Sequence, residues 1–265
     1  MKYKKVRQPL KISKVSAMHF GKLVGRALLF LGVLALYIIY HVNGNELPFL
    51  EIKLNYIVLV VIWGIYALET FLRFFPSKFE SRGCQKQFAH QYKPVSNEKM
   101  VVEKPASWRT VLVIVSWVIL NSVFGVLYYT HVIDEGILIL ISILYSVCDM
   151  ICILFFCPFQ VWMLKNKCCT TCRIYNWDFI MMFTPLVFIF NPFTLSLFAL
   201  GATLLIVWEI LYAKHPERFL ESTNSSLQCP NCNEKLCAHK KNLQKFLQKM
   251  QQEIRAKQKL ESKKK

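Results

Sequence analysis

Several long apolar blocks, each of about eighteen residues or more, limit most strongly what this chain can fold into. A helix needs about 20 mainly apolar residues to cross a hydrocarbon core of roughly 30 Å, and these blocks meet that requirement. Over its 265 residues the chain is 54% hydrophobic and only 18% charged, whereas soluble domains carry about 25% charged residues. The blocks therefore predict an all-α integral membrane protein that contacts the lipid bilayer.

The blocks predict six transmembrane segments within a membrane domain that spans residues 24–213. The segments are residues 24–41, 56–75, 108–131, 136–164, 179–191 and 194–212. The last two come from one apolar run, Phe179–Ala213, which as a single helix would be roughly 50 Å long and too long for one crossing. We divide this run at Asn191–Pro192, which makes the fifth segment short or re-entrant.

The formal net charge of +17 lies almost wholly outside the apolar blocks and predicts the topology. Basic residues concentrate in residues 1–23, in the loops 76–107 and 165–178, and after residue 213. Because cytosolic loops of membrane proteins are rich in Lys and Arg, these regions share one side if the chain crosses six times with both termini in the cytosol. This topology predicts an inner, or cytoplasmic, cell membrane protein. It also explains the charge without nucleic acid, which we do not expect as a partner.

Two basic termini flank the membrane domain. Residues 1–23 carry seven Lys or Arg residues and no acid. In the tail, residues 240–265, apolar residues recur at the spacing of an amphipathic helix among Lys, Arg and Gln. These residues are Leu243, Leu247, Met250 and Ile254. We expect both termini to lie against anionic lipids of the inner leaflet.

Two cysteine clusters lie on the predicted cytosolic side. The first is in the hub, which we define as Cys157–Asp178, and the second is in a cysteine-rich segment, residues 214–239. The thiol and imidazole side chains of the two clusters are Cys157, Cys168, Cys169, Cys172, Cys229, Cys232, Cys237 and His239. Structural disulfides are disfavoured in the reducing cytosol, so these residues are candidate metal ligands.

The spacing Cys-x-x-Cys occurs once in each cluster and favours metal binding. Cys169 and Cys172 form one pair, and Cys229 and Cys232 form the other. Such turns offer two thiolates to one metal, and four thiolates suit one tetrahedral zinc ion or one iron–sulfur cluster. The thiols beyond these four favour an iron–sulfur cluster or a binuclear site. Three alternatives stay open: thiols without a metal, palmitoylation of the adjacent Cys168 and Cys169, and a redox-switch disulfide.

One short stretch resembles a known family. Residues 152–158, CILFFCP, resemble the C-x-x-x-C-P signature at the inner end of a helix in membrane ferredoxin-type proteins, such as the quinol-oxidising subunits of periplasmic nitrate reduction. Four residues separate Cys152 from Cys157, one more than in that signature. The resemblance implies electron transfer, with a redox partner or a quinone as the membrane acceptor.

The fourth predicted segment carries a carboxylate, Asp149, near its centre. A carboxylate is costly there and is expected to face the bundle interior with a partner. Cys148 and Cys152 flank it, and Asn121 lies at similar depth on the third segment. One interpretation is an ion or proton site with soft-metal ligands from this group. The other is a protonated Asp149 hydrogen-bonded to Asn121, which would hold two helices together.

Four further polar residues lie near segment ends. Glu69 and Arg73 are one turn apart and are expected to form an i,i+4 ion pair. His41 and His131 fall at the outer ends of the first and third segments. Two histidines that face each other across a bundle could ligate a haem; the alternative is two interfacial side chains.

The sequence leaves three functions open and does not decide whether the protein is an enzyme. Signatures of P-loop nucleotide binding, of serine hydrolases and of zinc proteases are missing from it. The first hypothesis is an iron–sulfur redox component that passes electrons to a membrane acceptor. The second is an ion or metal transporter, or a metal-homeostasis protein, that uses Asp149 and its neighbouring cysteines. The third is a membrane scaffold with a structural zinc site.

Overall fold

A computed structural model describes residues 14–42, 52–76, 85–95, 107–166 and 168–231. Within these ranges the regular secondary structure is helical, apart from one isolated antiparallel bridge between Pro94 and Asn224. The all-α class predicted from the apolar blocks is confirmed. The predicted tail helix, residues 240–265, lies outside the described residues, as does most of the basic N-terminal segment.

Six α-helices form the described part of the chain. They are α1 (Lys14–Val42), α2 (Ile52–Leu72), α3 (Ser107–Tyr129), α4 (Glu135–Leu154), α5 (Asp178–Phe183) and α6 (Pro192–Lys214). Four stretches among them are long and apolar enough to cross a membrane: Ala17–Val42, Trp108–Tyr129, Glu135–Leu154 and Pro192–Lys214. The described apolar part of α2, Val60–Leu72, is shorter. The chain is therefore a helical membrane protein whose apolar side chains contact the bilayer.

The long helices run between two ends of one bundle. We call one end the hub face, which carries the hub, residues 85–95 and residues 215–231, and we call the opposite end the far face. Helices α1 and α4 are antiparallel, because Arg26 bonds to Asp149 while Tyr37 bonds to Asp134 near the start of α4. Asn191 lies at the far face, where its side chain caps the start of α6.

Helix α4 ends at Leu154, whereas the apolar run predicted a single segment to residue 164. The physical reason is Pro158, which has no N–H to donate and disfavours the helical conformation of Cys157 before it. The chain resumes as a π-helix, Phe159–Met163, which belongs to the hub. The break therefore separates the membrane-crossing part of α4 from the residues that carry the first cysteine cluster.

Helix α5 and the 3₁₀-helix that follows it, Thr184–Phe188, run along α6 in the opposite direction. At the hub face Trp177 bonds to Glu209 of α6, and farther along Phe183 packs against Gly201. A Cβ atom at position 201 would lie 3.1 Å from the Phe183 ring, so glycine lets the two segments pack closely here. A 3₁₀-helix rises about 2.0 Å per residue, so this short segment covers most of the length of α6.

The apolar core sits where α4, α5 and α6 meet. Its most buried members include Leu138, Phe179, Phe183, Leu204 and Trp208. Helix α3 packs against the hub and the 3₁₀-helix, and it exposes many apolar side chains along the rest of its surface. Helix α1 packs along α4. This arrangement fixes the hub on the ends of α4 and α6, where the candidate site is built.

Candidate functional site

The Cys-x-x-Cys pair of the hub adopts a tight turn. Cys169–Thr171 is one turn of 3₁₀-helix, and the Cys172 N–H donates to the Cys169 carbonyl at 3.0 Å. Cys172 is buried, with 7% of its surface exposed, in a small apolar cluster that also holds Trp177. The turn thus places a buried cysteine at the hub-face ends of the membrane helices.

The second Cys-x-x-Cys pair begins in the same local structure. Cys229–Asn231 is again one turn of 3₁₀-helix, and the Asn231 amide donates to the Ser225 carbonyl at 2.8 Å. Its partner thiol, Cys232, lies outside the described residues, as do Cys237 and His239. Both pairs therefore start with the compact turn that brings two thiols of such a motif to one side.

Residues 85–95, which precede α3, join the two cysteine clusters. Gln87 donates from Nε2 to the Thr170 carbonyl at 3.2 Å and accepts at Oε1 from Asn176 at 2.7 Å, and both partners belong to the hub. Next to Gln87, the Lys86 carbonyl accepts from the Asn224 amide at 3.0 Å. Gln87 and Asn224 are almost fully buried, so these bonds lie inside a packed interface.

Backbone pairing strengthens the contact between this segment and the chain before Cys229. The Ser225 N–H donates to the Lys93 carbonyl at 2.8 Å, and the Val95 N–H donates to the Thr223 carbonyl at 3.2 Å. The described part of the loop 76–107 thus lies between the hub and residues 220–231, on the same face of the bundle.

Within the described residues, three or more His, Cys, Asp or Glu side chains do not come together in an arrangement that could hold a metal ion. Some of the predicted metal ligands lie within the described residues and others lie outside them. Cys157, Cys168, Cys169, Cys172 and Cys229 are described, whereas Cys232, Cys237 and His239 are not. The metal centre is therefore untested and stays a proposal.

Other thiols of the hub pack against the end of α4. The Cys169 Sγ atom donates to Gln160 Oε1 at 3.0 Å and lies 3.8 Å from the Cys152 carbonyl oxygen. The Gln160 N–H donates to Cys157 Sγ at 3.4 Å. Cys168 Sγ lies 3.2 Å from the hydroxyl of Thr170. Cys169 thus packs against the end of α4 and the π-helix, and Cys168 contacts the residue that Gln87 binds.

An arginine clamp fastens the hub to α6. Arg173 forms a bidentate ion pair with Glu209, and the Trp177 Nε1–H donates to the same carboxylate at 2.7 Å. The Arg173 guanidinium also lies 3.9 Å from the centre of the Tyr212 ring, a cation–π distance. The residue directly after Cys172 is therefore anchored on a membrane helix.

A second polar site lies inside the bundle, centred on Arg26 of α1. Its guanidinium donates to Glu69 of α2 at 2.8 Å, to Asp149 of α4 at 3.2 Å and to the Ser146 carbonyl at 2.9 Å. Lys22 pairs with Glu69 at 3.3 Å. Two cations and two carboxylates thus join three helices, as intramembrane charges require.

The structure corrects two pairings expected from the sequence. Asp149 bonds to Arg26 and not to Asn121, whose amide donates to the Trp117 carbonyl of its own helix. Glu69 pairs with Arg26 of α1, and Arg73 pairs with Asp178 of α5 at 2.5 Å. In both cases the carboxylate pairs with a cation on a neighbouring helix and not with the residue expected from the sequence.

Cys148 and Cys152, which flank Asp149, lie in different surroundings. Cys148 is exposed at the bundle surface, whereas Cys152 is half-buried near the hub thiols. Asp149 itself faces Arg26 in the interior. In the described structure the three side chains therefore do not converge on one ligand position.

At the far face, His41 and Tyr37 both bond to Asp134, at 3.1 Å and 3.0 Å. Partial burial favours the neutral acid, but the Ile137 N–H, the Tyr37 hydroxyl and the His41 ring together hold the pKa of Asp134 below its usual range. His131 lies in the turn between α3 and α4, with a left-handed φ of 58°. The haem hypothesis for His41 and His131 is untested.

Two groups of residues that form these sites were not predicted from the sequence. Arg26 stands alone in an apolar block, which is itself a signal of a buried partner. The amides of Gln87, Asn176 and Asn224 gave no such signal, because polar loop residues carry no periodic pattern. No family model, curated protein or solved structure matches this chain.

Proposed function

We propose that this membrane protein carries a cysteine-ligated metal centre on its hub face. The supporting observation is the interface in which Gln87 bonds to Thr170 and Asn176 of the hub while Lys86 bonds to Asn224. This interface holds the chain that leads to Cys229 on the same face as Cys169 and Cys172. Two Cys-x-x-Cys turns on one face provide the four thiolates that one metal centre needs.

The proposed ligands are Cys169, Cys172, Cys229 and Cys232. The residues present fit a thiolate-bound metal, because both pairs begin with a 3₁₀ turn and four thiols are the donor set that zinc and iron–sulfur clusters take. Cys157, Cys168, Cys237 and His239 surround these four in sequence and are the candidates for a larger cluster.

The proposed role is electron transfer. An iron–sulfur cluster at this position would exchange electrons with a cytosolic donor on one side and a membrane acceptor such as a quinone on the other. The chain contributes the rigid attachment: the Arg173–Glu209 pair and the Trp177 bond hold the first Cys-x-x-Cys turn on α6. Zinc is the second metal identity, and it would make the centre a structural clamp in a membrane scaffold.

The proposal includes a topology. The hub face lies in the cytosol with both termini, and the chain crosses an inner cell membrane six times, with α5 and its 3₁₀-helix as the short fifth crossing. The supporting observation is that this segment runs along α6 in the opposite direction. The loops that are rich in Lys and Arg then all lie on the cytosolic side.

Elemental analysis and a visible absorption spectrum of protein purified without oxygen test this function. Iron with acid-labile sulfide and broad visible absorption would support the electron-transfer role. One zinc per chain in a colourless protein would replace it with the structural role. A folded protein that contains neither metal would overturn the proposal.

The charge cluster favours a second candidate function, movement of ions or protons through the bundle. Arg26, Glu69 and Asp149 form a chain of charges between three helices in the interior. If the cluster lies on such a path, Asp149→Asn abolishes flux in proteoliposomes, whereas Asp134→Asn at the far face keeps it. Equal flux in wild type and Asp149→Asn would remove this candidate.

A further inference from the structure

A cavity of about 230 Å³ opens inside the far-face half of the bundle, between α1, α2, α4 and α6. Its walls are made by apolar and aromatic side chains, among them Val33, Trp63, Ile139, Phe183, Phe193 and Leu197. An apolar cavity of about 150 Å³ already suffices to take up benzene. The cavity is therefore large enough for several methylene groups in a row.

The polar groups that border the cavity all have partners in the protein. The Tyr66 hydroxyl shares a 2.9 Å hydrogen bond with Ser146, and the Trp63 Nε1–H donates to Ser196 at 2.9 Å. Ser142 donates to the carbonyl of Met182 at 2.8 Å, and Thr194 donates to that of Ile189 at 2.9 Å. The N–H and O–H donors of these groups are thus engaged within the protein, and an ordered water needs two to four polar partners. The cavity therefore suits an apolar occupant better than water.

The cavity borders the lipid on the side of α1 and α2. Val33 and Leu36 of α1 and Ile62 and Trp63 of α2 line it and are only half-buried. Closer to the hub face the same two helices are joined by the Arg26–Glu69 ion pair. A chain that entered between the helices would thus be stopped at its inner end by Arg26 and Tyr66.

We propose that this cavity binds one hydrocarbon chain of a membrane lipid, which enters between α1 and α2. Dispersion contacts with the aromatic wall would hold it, since hydration gives no driving force within a bilayer. The edge-to-face pair of Trp63 and Phe193, with ring centres 5.9 Å apart, forms a continuous aromatic part of the cavity wall against which a chain can pack. The chain is either the acyl tail of a phospholipid or the prenyl tail of a quinone. This inference does not depend on the metal centre.

Trp63 provides the test, because it lines the cavity. The protein is reconstituted in phosphatidylcholine vesicles whose acyl chains are brominated, and bromine quenches a tryptophan that it touches. The contribution of Trp63 is the fluorescence quenching of wild type minus the fluorescence quenching of Trp63→Phe. In Val33→Phe, where the added ring fills the cavity, we expect this difference to fall at least twofold. The matched control, Val126→Phe on the lipid-exposed surface of α3, keeps it.

Equal quenching of Trp63 in wild type and Val33→Phe would overturn the proposal. A second measurement uses wild type alone, in case Val33→Phe does not fold. Native mass spectrometry after repeated detergent exchange should find one retained lipid per chain, and its mass distinguishes a phospholipid from a prenyl quinone. A wild-type protein that retains no lipid would also overturn the proposal.

Discussion

Asn176 donates a 2.7 Å hydrogen bond to the side chain of Gln87, and both residues are buried between the hub and the segment that precedes α3. This bond joins parts of the chain that are 89 residues apart. With the bond from Asn224 to Lys86, it makes residues 85–95 the element that holds the two cysteine clusters on one face. The proposed metal centre therefore depends on an amide contact and not on the cysteines alone.

Gln87→Leu tests that contact. The substitution leaves the Asn176 amide without its acceptor and the Thr170 carbonyl without its donor, so we expect a loss of roughly 1–3 kcal/mol in the free energy of unfolding. Thermal unfolding in detergent measures it. Gln91→Leu is the matched control, since the Gln91 side chain is exposed. Equal melting temperatures for the two variants would show that the contact does not stabilise the hub face.

Arg26→Met tests the charge cluster. It leaves Asp149 buried without its cation, and breaking a buried pair in this way costs roughly 3–5 kcal/mol. In the double variant Arg26→Met with Asp149→Leu no isolated carboxylate remains at that position, so we expect recovery of most of the lost stability. Unfolding of the three proteins in detergent gives the comparison. A double variant less stable than Arg26→Met would contradict the pairing.

Gly125→Ala tests the packing of α3 on the 3₁₀-helix. A Cβ atom at position 125 would lie 2.6 Å from the Phe188 ring, and overpacking of this kind costs roughly 1–3 kcal/mol. A second substitution, Phe188→Leu, should relieve part of the cost. The control is Gly64→Ala on α2, where the new methyl group meets nothing within 4 Å and the gain in helix propensity is about 1 kcal/mol. If both variants shift the melting temperature alike, α3 does not pack as described.

Asp134→Asn tests the far-face contact by its pH dependence. Because the pKa of Asp134 is below its ordinary value of 3.8 in the folded protein, the ionised form contributes stability above that value, and this contribution is lost as pH falls through the lower folded pKa. Asparagine still caps α4 through its Oδ1 atom, so the variant keeps the cap while it removes the charge and the Oδ2 acceptor of Tyr37 and His41. We expect wild type to be the more stable protein at neutral pH and the difference to vanish in acid. A difference that grows in acid would contradict the assignment.

The sequence was sufficient for the class of fold because crossing a bilayer demands long apolar helices, and that demand is visible residue by residue. It was not sufficient to predict that α4 ends at Leu154, because the apolar run continues past Pro158 and hydropathy alone shows no break there. The rule that the residue before proline avoids the helical conformation would have placed it.

Some features of the candidate sites could likewise be predicted from the sequence and others could not. The Cys-x-x-Cys pairs are visible in the sequence because their spacing is local. The partner of Asp149 is not, since Arg26 lies 123 residues away and nothing in the spacing along α4 points to α1. The role of Gln87 was harder still to predict, because it comes from two hydrogen bonds to other parts of the chain and no sequence pattern marks this residue.

The most direct test of the shared metal centre is the metal content per chain of wild type and of two variants, each of which changes one Cys-x-x-Cys pair to serine. One variant is Cys169→Ser with Cys172→Ser, and the other is Cys229→Ser with Cys232→Ser; Cys148→Ser, on the exposed surface of α4, is the control. We predict that either double variant loses the whole centre while the control keeps it. If one double variant retains the full metal content of wild type, the two clusters do not share a centre.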